Sequence, residues 1–461
     1  MPWSQSEDNV FSRPLGENET FLKLIGDSGL SLQREHWAVN FTAKIDTTGS
    51  FDDDDEFLAA QLRRAWAHLR FQHPSLAAEP EGNHLRYTVP LSKIALQDWV
   101  DKTFTVVSDA PSTSELITTL KPTPYAQLYF LPKSREILGH TAHWRSDGVG
   151  TMMLLNALLE LLARPDLPQD PWTALPWGQE VGSLPPSVEE AAAVPEEPSS
   201  AQAAQGRKAF ETFGLAAGAI GIPCLGDSTT IPRGTRCVCV TLSPQTTAAV
   251  VEAVRSRDLS VTAAVHASIA AANFQLADPS QRDRHYTSTI RFTLRPYMPK
   301  PYSGPEYASM LLTTGWMAQV SPAENWATHA QKYRQEYRTA ISPEYLGGHR
   351  EYARLLCDLL RNSPETEEKP PSEVDISSIG VIEKWIRREY GTPNSSIRVQ
   401  AISVGLEMLT RQAVCFVWTF RDCLNLQIVY NKAFHAPEQM QAFAETTRAV
   451  LLKELGVMGT D

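Results

Sequence analysis

Apolar residues along the chain recur with two spacings, one of strand type and one of helix type, and their alternation predicts a mixed α/β protein. REHWAVNFTAKI, HLRYTVP and SREILGHTAHW read as strands. Between the first two, DDDDEFLAAQLRRAWAHLRFQHP reads as a helix, with Leu58, Leu62, Ala65 and Leu69 on one side and a stop near Pro74. The acidic run 52–55 at its start complements the helix dipole and reads as a solvated cap, since the other ligands of a calcium loop are missing. The third strand leads into VGTMMLLNALLELLARP, a helix apolar on nearly every side and therefore expected to be buried.

From 165 to about 205 the pattern lapses into Pro, Glu, Ser and Ala without a sustained apolar period, which reads as a linker or crossover. Periodicity then resumes. RCVCVTL is a strand, Ser243 with Pro244 opens a helix, VTAAVHASIAAANFQLA after Ser260 is another helix, and YTSTIRFTL is a strand before the Pro-rich turn RPYMPKPYSGP. QAVCFVWTF and LNLQIVY flank a short turn as a hairpin, and a helix from Pro437 closes the chain. Each half thus layers helices on a sheet, so the expected architecture is two α/β domains, 1–185 and 206–461, joined by 186–205.

Size agrees with two domains: 461 residues exceed the roughly 100 to 200 of one ordinary domain. A net charge of -11 disfavours a nucleic-acid partner, whose phosphates draw on excess Lys and Arg. The longest small apolar run, 213–222, is too short to span a membrane, and the N-terminus has neither a basic start nor an apolar h-region. A soluble, cytoplasmic protein is expected. Six cysteines are scattered without CxxC spacing, so most are expected in the core, and Cys237 and Cys239, on one strand face, lack the partners of a metal site.

Candidate chemistry concentrates in His143-Trp144-Arg145-Ser146-Asp147-Gly148, where a strand ends and the buried helix begins. Histidine ionises near neutrality and can act as base and then acid. The positive end of the following helix disfavours imidazolium and keeps the ring available as a base. Asp147 could orient this loop, pair with an arginine or simply cap the helix.

Beyond this motif, RPLGENE, LRRAWAHLRFQHPSLAAE with HLRYTVP, HTAHWRSDGVG, LSVTAAVHASIAAANFQLA, DISSIGVIEKWI and LNLQIVYNKAFH follow one another as in the HxxxD acyltransferases. That superfamily includes the plant-type BAHD enzymes, the condensation domains of peptide synthetases and fungal trichothecene acetyltransferases, and the chain most resembles the trichothecene 15-O-acetyltransferase type. The resemblance implies two chloramphenicol-acetyltransferase-like domains with a tunnel at their interface, His143 as general base, and Asp147 paired with an arginine from the second half. Arg291 is the expected partner. It stands five residues before Pro296 of a Pro-x-x-Pro turn, as in BAHD enzymes, and strand alternation places Thr287, Thr289, Arg291, Thr293 and Arg295 on one polar face. Ser377 and Ser378 fall where relatives keep small polar residues beside the reacting carbonyl, which makes either a candidate oxyanion donor. Trp144 and Arg295 are candidates for substrate contact; the aromatics Trp316, Phe416 and Trp418 could shape an acceptor pocket but read more readily as core.

The implied reaction is transfer of an acyl group, acetyl first among them, from CoA to the hydroxyl of a secondary metabolite such as a terpenoid. CoA enters as a co-substrate, no bound cofactor or metal is implied, and a monomer suffices. Two departures from the family bear on this. Ala142 replaces the first of the two adjacent histidines of condensation domains, and the DFGWG segment of BAHD enzymes is absent, its region reading IRREYGTPNSSIRVQ. The alternative is condensation on a carrier-protein thioester, or a cyclase or pericyclase built on the same scaffold.

Overall fold

The computed structural model describes residues 2–51, 54–227, 229–339, 341–362 and 371–458. The chain forms two compact units. Unit 1 comprises Met1–Pro195, Thr293–Leu312 and Glu383–Glu407, and unit 2 comprises Glu196–Phe292, Thr313–Ile382 and Met408–Asp461. The first crossing, at 195–196, falls inside the expected linker 186–205. The continuous second domain expected for 206–461 is corrected: two later segments return to unit 1.

Unit 1 is built on a six-stranded sheet in the order Glu389–Thr392, Ser395–Leu406, Val39–Thr47, Glu136–Thr141, Gln127–Leu131, Phe104–Val106. Every pairing is antiparallel except the last, which is parallel. The strand Ser395–Leu406 comes from a returning segment and pairs along nearly the whole of Val39–Thr47. The helix Asp55–Gln72 buries Leu58, Leu62, Ala65 and Leu69, as its spacing predicts. Asp54 caps it, accepting from the Glu56 amide at 2.8 Å; Asp52 and Asp53 of the acidic run lie outside the described residues. The apolar helix Gly148–Leu162 is buried through most of its length.

Unit 2 has a four-stranded mixed sheet in the order Val374–Val381, Ala413–Phe420, Cys423–Asn431, Thr235–Thr241. Its first pair is parallel, the hairpin antiparallel. The helices Val261–Leu276 and Pro437–Leu455 contribute to its core with Ile269, Ala270, Phe443 and Leu451. Ser243 caps Pro244–Ser256 through the Thr246 amide at 3.2 Å. Trp316, Phe416 and Trp418 are core residues of this half of the chain, and Trp316 stacks on Phe292 at 4.7 Å between centroids.

Two local expectations are corrected. The stretch 186–205 is not structureless: it holds the short helix Val188–Ala191 and the start of Ser200–Glu211, which Ser199 and Gln202 open with a capping box. Ser200–Glu211 meets Pro343–Asn362 through Gly206 and Gly348, where an added Cβ on Gly206 would lie 2.7 Å from the Gly348 carbonyl oxygen. Contact by backbone leaves no apolar stripe to read. Of the six cysteines, all free, only Cys357 and Cys415 are buried; Cys237 and Cys239 are exposed because Thr235–Thr241 is an edge strand with one face uncovered. Among the described residues no single helix is long and apolar enough to cross a membrane.

Candidate active site

The loop 142–147 joins the central strand Glu136–Thr141 of unit 1 to the helix Gly148–Leu162. Both flanking elements are buried, so the loop is held at each end by core packing. Two histidines lie at this strand end, and their surroundings separate them. His140 is buried, with Nδ1 2.8 Å from Asn40 Oδ1, and desolvation pulls it down to about 4. His143, on the turn, is half-buried, and its Nδ1 lies 3.2 Å from the Ser146 carbonyl oxygen. A carbonyl only accepts, so in the neutral ring the proton sits on Nδ1 and Nε2 carries the lone pair.

The residues between His143 and Asp147 secure the loop. Trp144 is buried, and the Arg145 guanidinium lies 4.5 Å from its ring centroid. Arg145 donates to the carbonyls of Ser75, Ala78 and Pro124, the last two at 2.9 and 2.8 Å. Burial lowers it to about 10, against the opposite pull of Glu35. Ser146 Oγ donates to the Ala308 carbonyl at 3.0 Å.

Asp147 is the N-cap of Gly148–Leu162, its Oδ1 accepting from the Gly150 amide at 2.8 Å. Its Oδ2 accepts from the Leu312 amide at 2.8 Å and from Arg295 Nη2 at 3.4 Å. Capping and pairing are therefore both realised. The arginine is Arg295, and the expected Arg291 is corrected. Arg291 lies in unit 2, where it pairs with Asp375 at 2.8 Å and donates to the Ile376 carbonyl at 2.5 Å. The reason is where the strand stops. Tyr286–Thr293 ends two residues before Arg295, which begins a short 3-10 turn in the segment returning to unit 1. Arg295 is thus removed from the polar strand face expected for it, and its side chain is only 2% exposed. Its Nη2 also donates to the carbonyls of Ala308 at 3.3 Å and Met310 at 3.1 Å, and its Nη1 to that of Tyr307 at 3.3 Å.

Ser377 and Ser378 lie on Val374–Val381 in unit 2. Ser378 Oγ is 3.0 Å from Thr262 Oγ1, and a bulge follows between Ser378 and Gly380. Arg291 and Asp375 fasten the backbone immediately before these serines, Asp375 Oδ1 accepting from the Ile376 amide at 2.7 Å.

Two residues at the site had no warning in the sequence. Trp37 has its ring centroid 6.4 Å from that of His143, and its φ of 63° is a left-handed conformation that a bulky residue adopts at a cost of about 1 to 3 kcal/mol. Its amide donates to the Glu407 carbonyl at 2.8 Å, which holds it there. Gly150 follows the motif by two residues. A Cβ there would lie 2.3 Å from the Ala308 carbonyl oxygen, 2.5 Å from Ser146 Oγ and 2.6 Å from Arg295 Nη2, so only glycine lets the helix approach the returning segment this closely.

The fold and this loop are those of an HxxxD acyltransferase. The chain is 42% identical over 457 residues to the Monascus ruber protein named acetyltransferase pigO, covering 99% of both chains. It is 29% identical over 459 residues to O-acetyltransferase pigM of the same organism, covering 99% of this chain and 88% of that one. Among solved structures it superposes on the TRI3 trichothecene 15-O-acetyltransferase of Fusarium sporotrichioides with a TM-score of 0.81 at 16% identity, over 98% of this chain and 97% of that one. No protein-family model matches. The chain belongs to the HxxxD acyltransferase superfamily, in the fungal group that contains pigO.

Proposed function

We propose that the chain transfers an acetyl group from acetyl-CoA to a hydroxyl of a fungal secondary metabolite, with His143 as general base, and that it works as a monomer. One observation carries this reading: the His143 Nδ1 contact with the Ser146 carbonyl, which makes Nε2 the basic nitrogen on a half-buried turn. The names of pigO and pigM support acetyl as the group and, for pigM, oxygen as the acceptor atom.

In this mechanism Nε2 takes the acceptor's hydroxyl proton as the oxygen attacks the thioester carbonyl. The tetrahedral oxyanion collapses, the carbon–sulfur bond breaks, and Nε2 returns the proton to the departing CoA thiolate. Ester and free CoA leave with no net proton change. Asp147 and Arg295 act through position. They fix the start of the helix and the carbonyls of 308 and 310, and so hold the turn that carries His143.

The test is acceptor-dependent release of CoA thiol from acetyl-CoA, with hydroxylated polyketides and terpenoids as acceptors. His143→Ala is expected to lower the rate by about 100-fold to 10,000-fold at unchanged folding. Full activity in the His143 variant overturns the base assignment; absence of thiol release with every acceptor overturns CoA as the donor.

A further inference from the structure

Trp37 stands beside His143, and acyl transfer as described above gives it no task. The strands Val39–Thr47 and Glu136–Thr141 pair Val39 with Thr141, and two residues outside that pair, past the ends of both strands, come Trp37 and His143. Their ring centroids are 6.4 Å apart and the rings are tilted by 52°. The backbone that sets the indole there is fixed from both directions: the Trp37 amide donates to the Glu407 carbonyl and the Glu407 amide to the Ala38 carbonyl, each at 2.8 Å.

Two features of Trp37 go unexplained by folding. Its φ of 63° is one that glycine or asparagine adopts readily and a bulky residue does not, so the turn itself calls for no indole. Its indole N–H makes no hydrogen bond among the described residues and, unlike that of Trp99, is not sealed from solvent. The indoles of Trp3, Trp66, Trp177 and Trp326 each donate to a partner. Part of the Trp37 ring packs on the apolar cluster that contains Leu22, Ala142, Trp144 and Leu311, and the residue is only half-buried. An aromatic surface and an unmet donor are therefore open next to His143.

We propose, resting on the assignment of His143 as base toward an acceptor hydroxyl, that Trp37 is the platform on which the acceptor lies. A flat conjugated ring stacks on the indole, a carbonyl oxygen of that ring accepts from Nε1–H, and the alcohol is thereby brought to His143 Nε2. The acceptor class that fits is a conjugated cyclic ketone bearing an alcohol, in preference to a saturated terpenoid alcohol. Trp37 sets acceptor affinity and takes no part in the proton transfer.

Three alcohols separate these contributions: hydroxymethylanthraquinone is flat and carries carbonyls, hydroxymethylanthracene is flat without them, and adamantanemethanol is neither. Equilibrium dialysis of each against the full chain, without acetyl-CoA, reads binding whether or not thiol is released. The expected affinities fall in that order. Trp37→Phe keeps a ring and loses the N–H, and should weaken hydroxymethylanthraquinone about tenfold while leaving hydroxymethylanthracene within about twofold. Trp37→Leu should weaken both. In thiol release the same variants should raise KM for the anthraquinone alcohol and leave kcat and the KM for acetyl-CoA in place, a split that a folding defect does not give. Equal binding of the three alcohols, binding unchanged in both variants, or no binding of any of them overturns the platform. Trp37-dependent binding without thiol release leaves the platform standing and places the fault in the transfer reading.

Discussion

Two arginine–aspartate pairs, formed by arginines four residues apart in the sequence, settle in different units and do different work. Arg295 with Asp147 is almost sealed from solvent, at 2% and 4% side-chain exposure, whereas Arg291 with Asp375 keeps the arginine 21% exposed. The first is a hub: one carboxylate caps a helix and receives the Leu312 amide, and one guanidinium gathers three backbone carbonyls. The second is a local clamp on a strand, holding the Ile376 carbonyl and amide. Charge pairing itself therefore explains little. What distinguishes the two is how many backbone groups each pair binds, because a buried pair stabilises through completed hydrogen bonding more than through attraction.

The largest effect is expected where the sealed pair is broken. Asp147→Asn keeps a side chain able to cap the helix but leaves Arg295 buried without a counter-charge, and should destabilise the chain by about 3 to 5 kcal/mol in urea unfolding. A stability within experimental error of the parent would show that the hub is not needed. Acid dependence sharpens the same comparison. His73, buried, is lowered to about 4 by desolvation first and by the nearby Arg295 charge second. Its folded value lies below the ordinary 6.5, so the unfolded chain binds the proton more readily. The stability it lends is complete above about pH 6.5 and declines as pH falls toward 4, by about 3 kcal/mol in full. Arg295→Met removes the neighbouring charge, so imidazole titration followed by NMR should show the His73 midpoint moving upward; an unmoved midpoint would separate His73 from the hub.

Much of this arrangement was legible in the sequence. The helix Asp55–Gln72, the strand-to-helix placement of His143 and the cap at Asp147 follow from local spacing and residue chemistry, and the structure keeps them. The arginine partner was not legible: Arg291 is chosen by resemblance, from its spacing to the Pro-x-x-Pro turn, while alternation extended two residues beyond the end of Tyr286–Thr293 leaves Arg295 on the strand face. A period shows which face a strand residue takes, but not where the chain leaves the sheet. Trp37 was hidden for another reason: its place beside His143 depends on a left-handed backbone and on an amide bond to residue 407, far along the chain. The helix Ser200–Glu211 escaped because small residues and glycines, not an apolar stripe, make its contact. Local rules read elements; the long-range partners of their backbone groups lie beyond them.

A smaller effect is expected at Gly150, where the added Cβ of Gly150→Ala would press on the Ala308 carbonyl and on Arg295. The cost should be about 1 to 3 kcal/mol, as for other overpacked sites, and urea unfolding reads it. An unchanged midpoint would mean that the returning segment gives way freely.

The smallest effect is the most discriminating. Double-mutant cycles pair Asp147→Asn in turn with Arg295→Met and Arg291→Met, with stability as the readout. Asp147 and Arg295 share a direct contact and the same stretch of returning backbone, so their coupling should be about 1 to 3 kcal/mol. Among the described residues Asp147 and Arg291 share no hydrogen-bond partner, and Arg291 answers to Asp375, so their effects should add to within about 0.5 kcal/mol. Appreciable coupling in the second cycle would mean that the two pairs form one network, and the contrast between hub and clamp would fail. Additivity there with coupling in the first would assign the motif's arginine by energy as well as by distance.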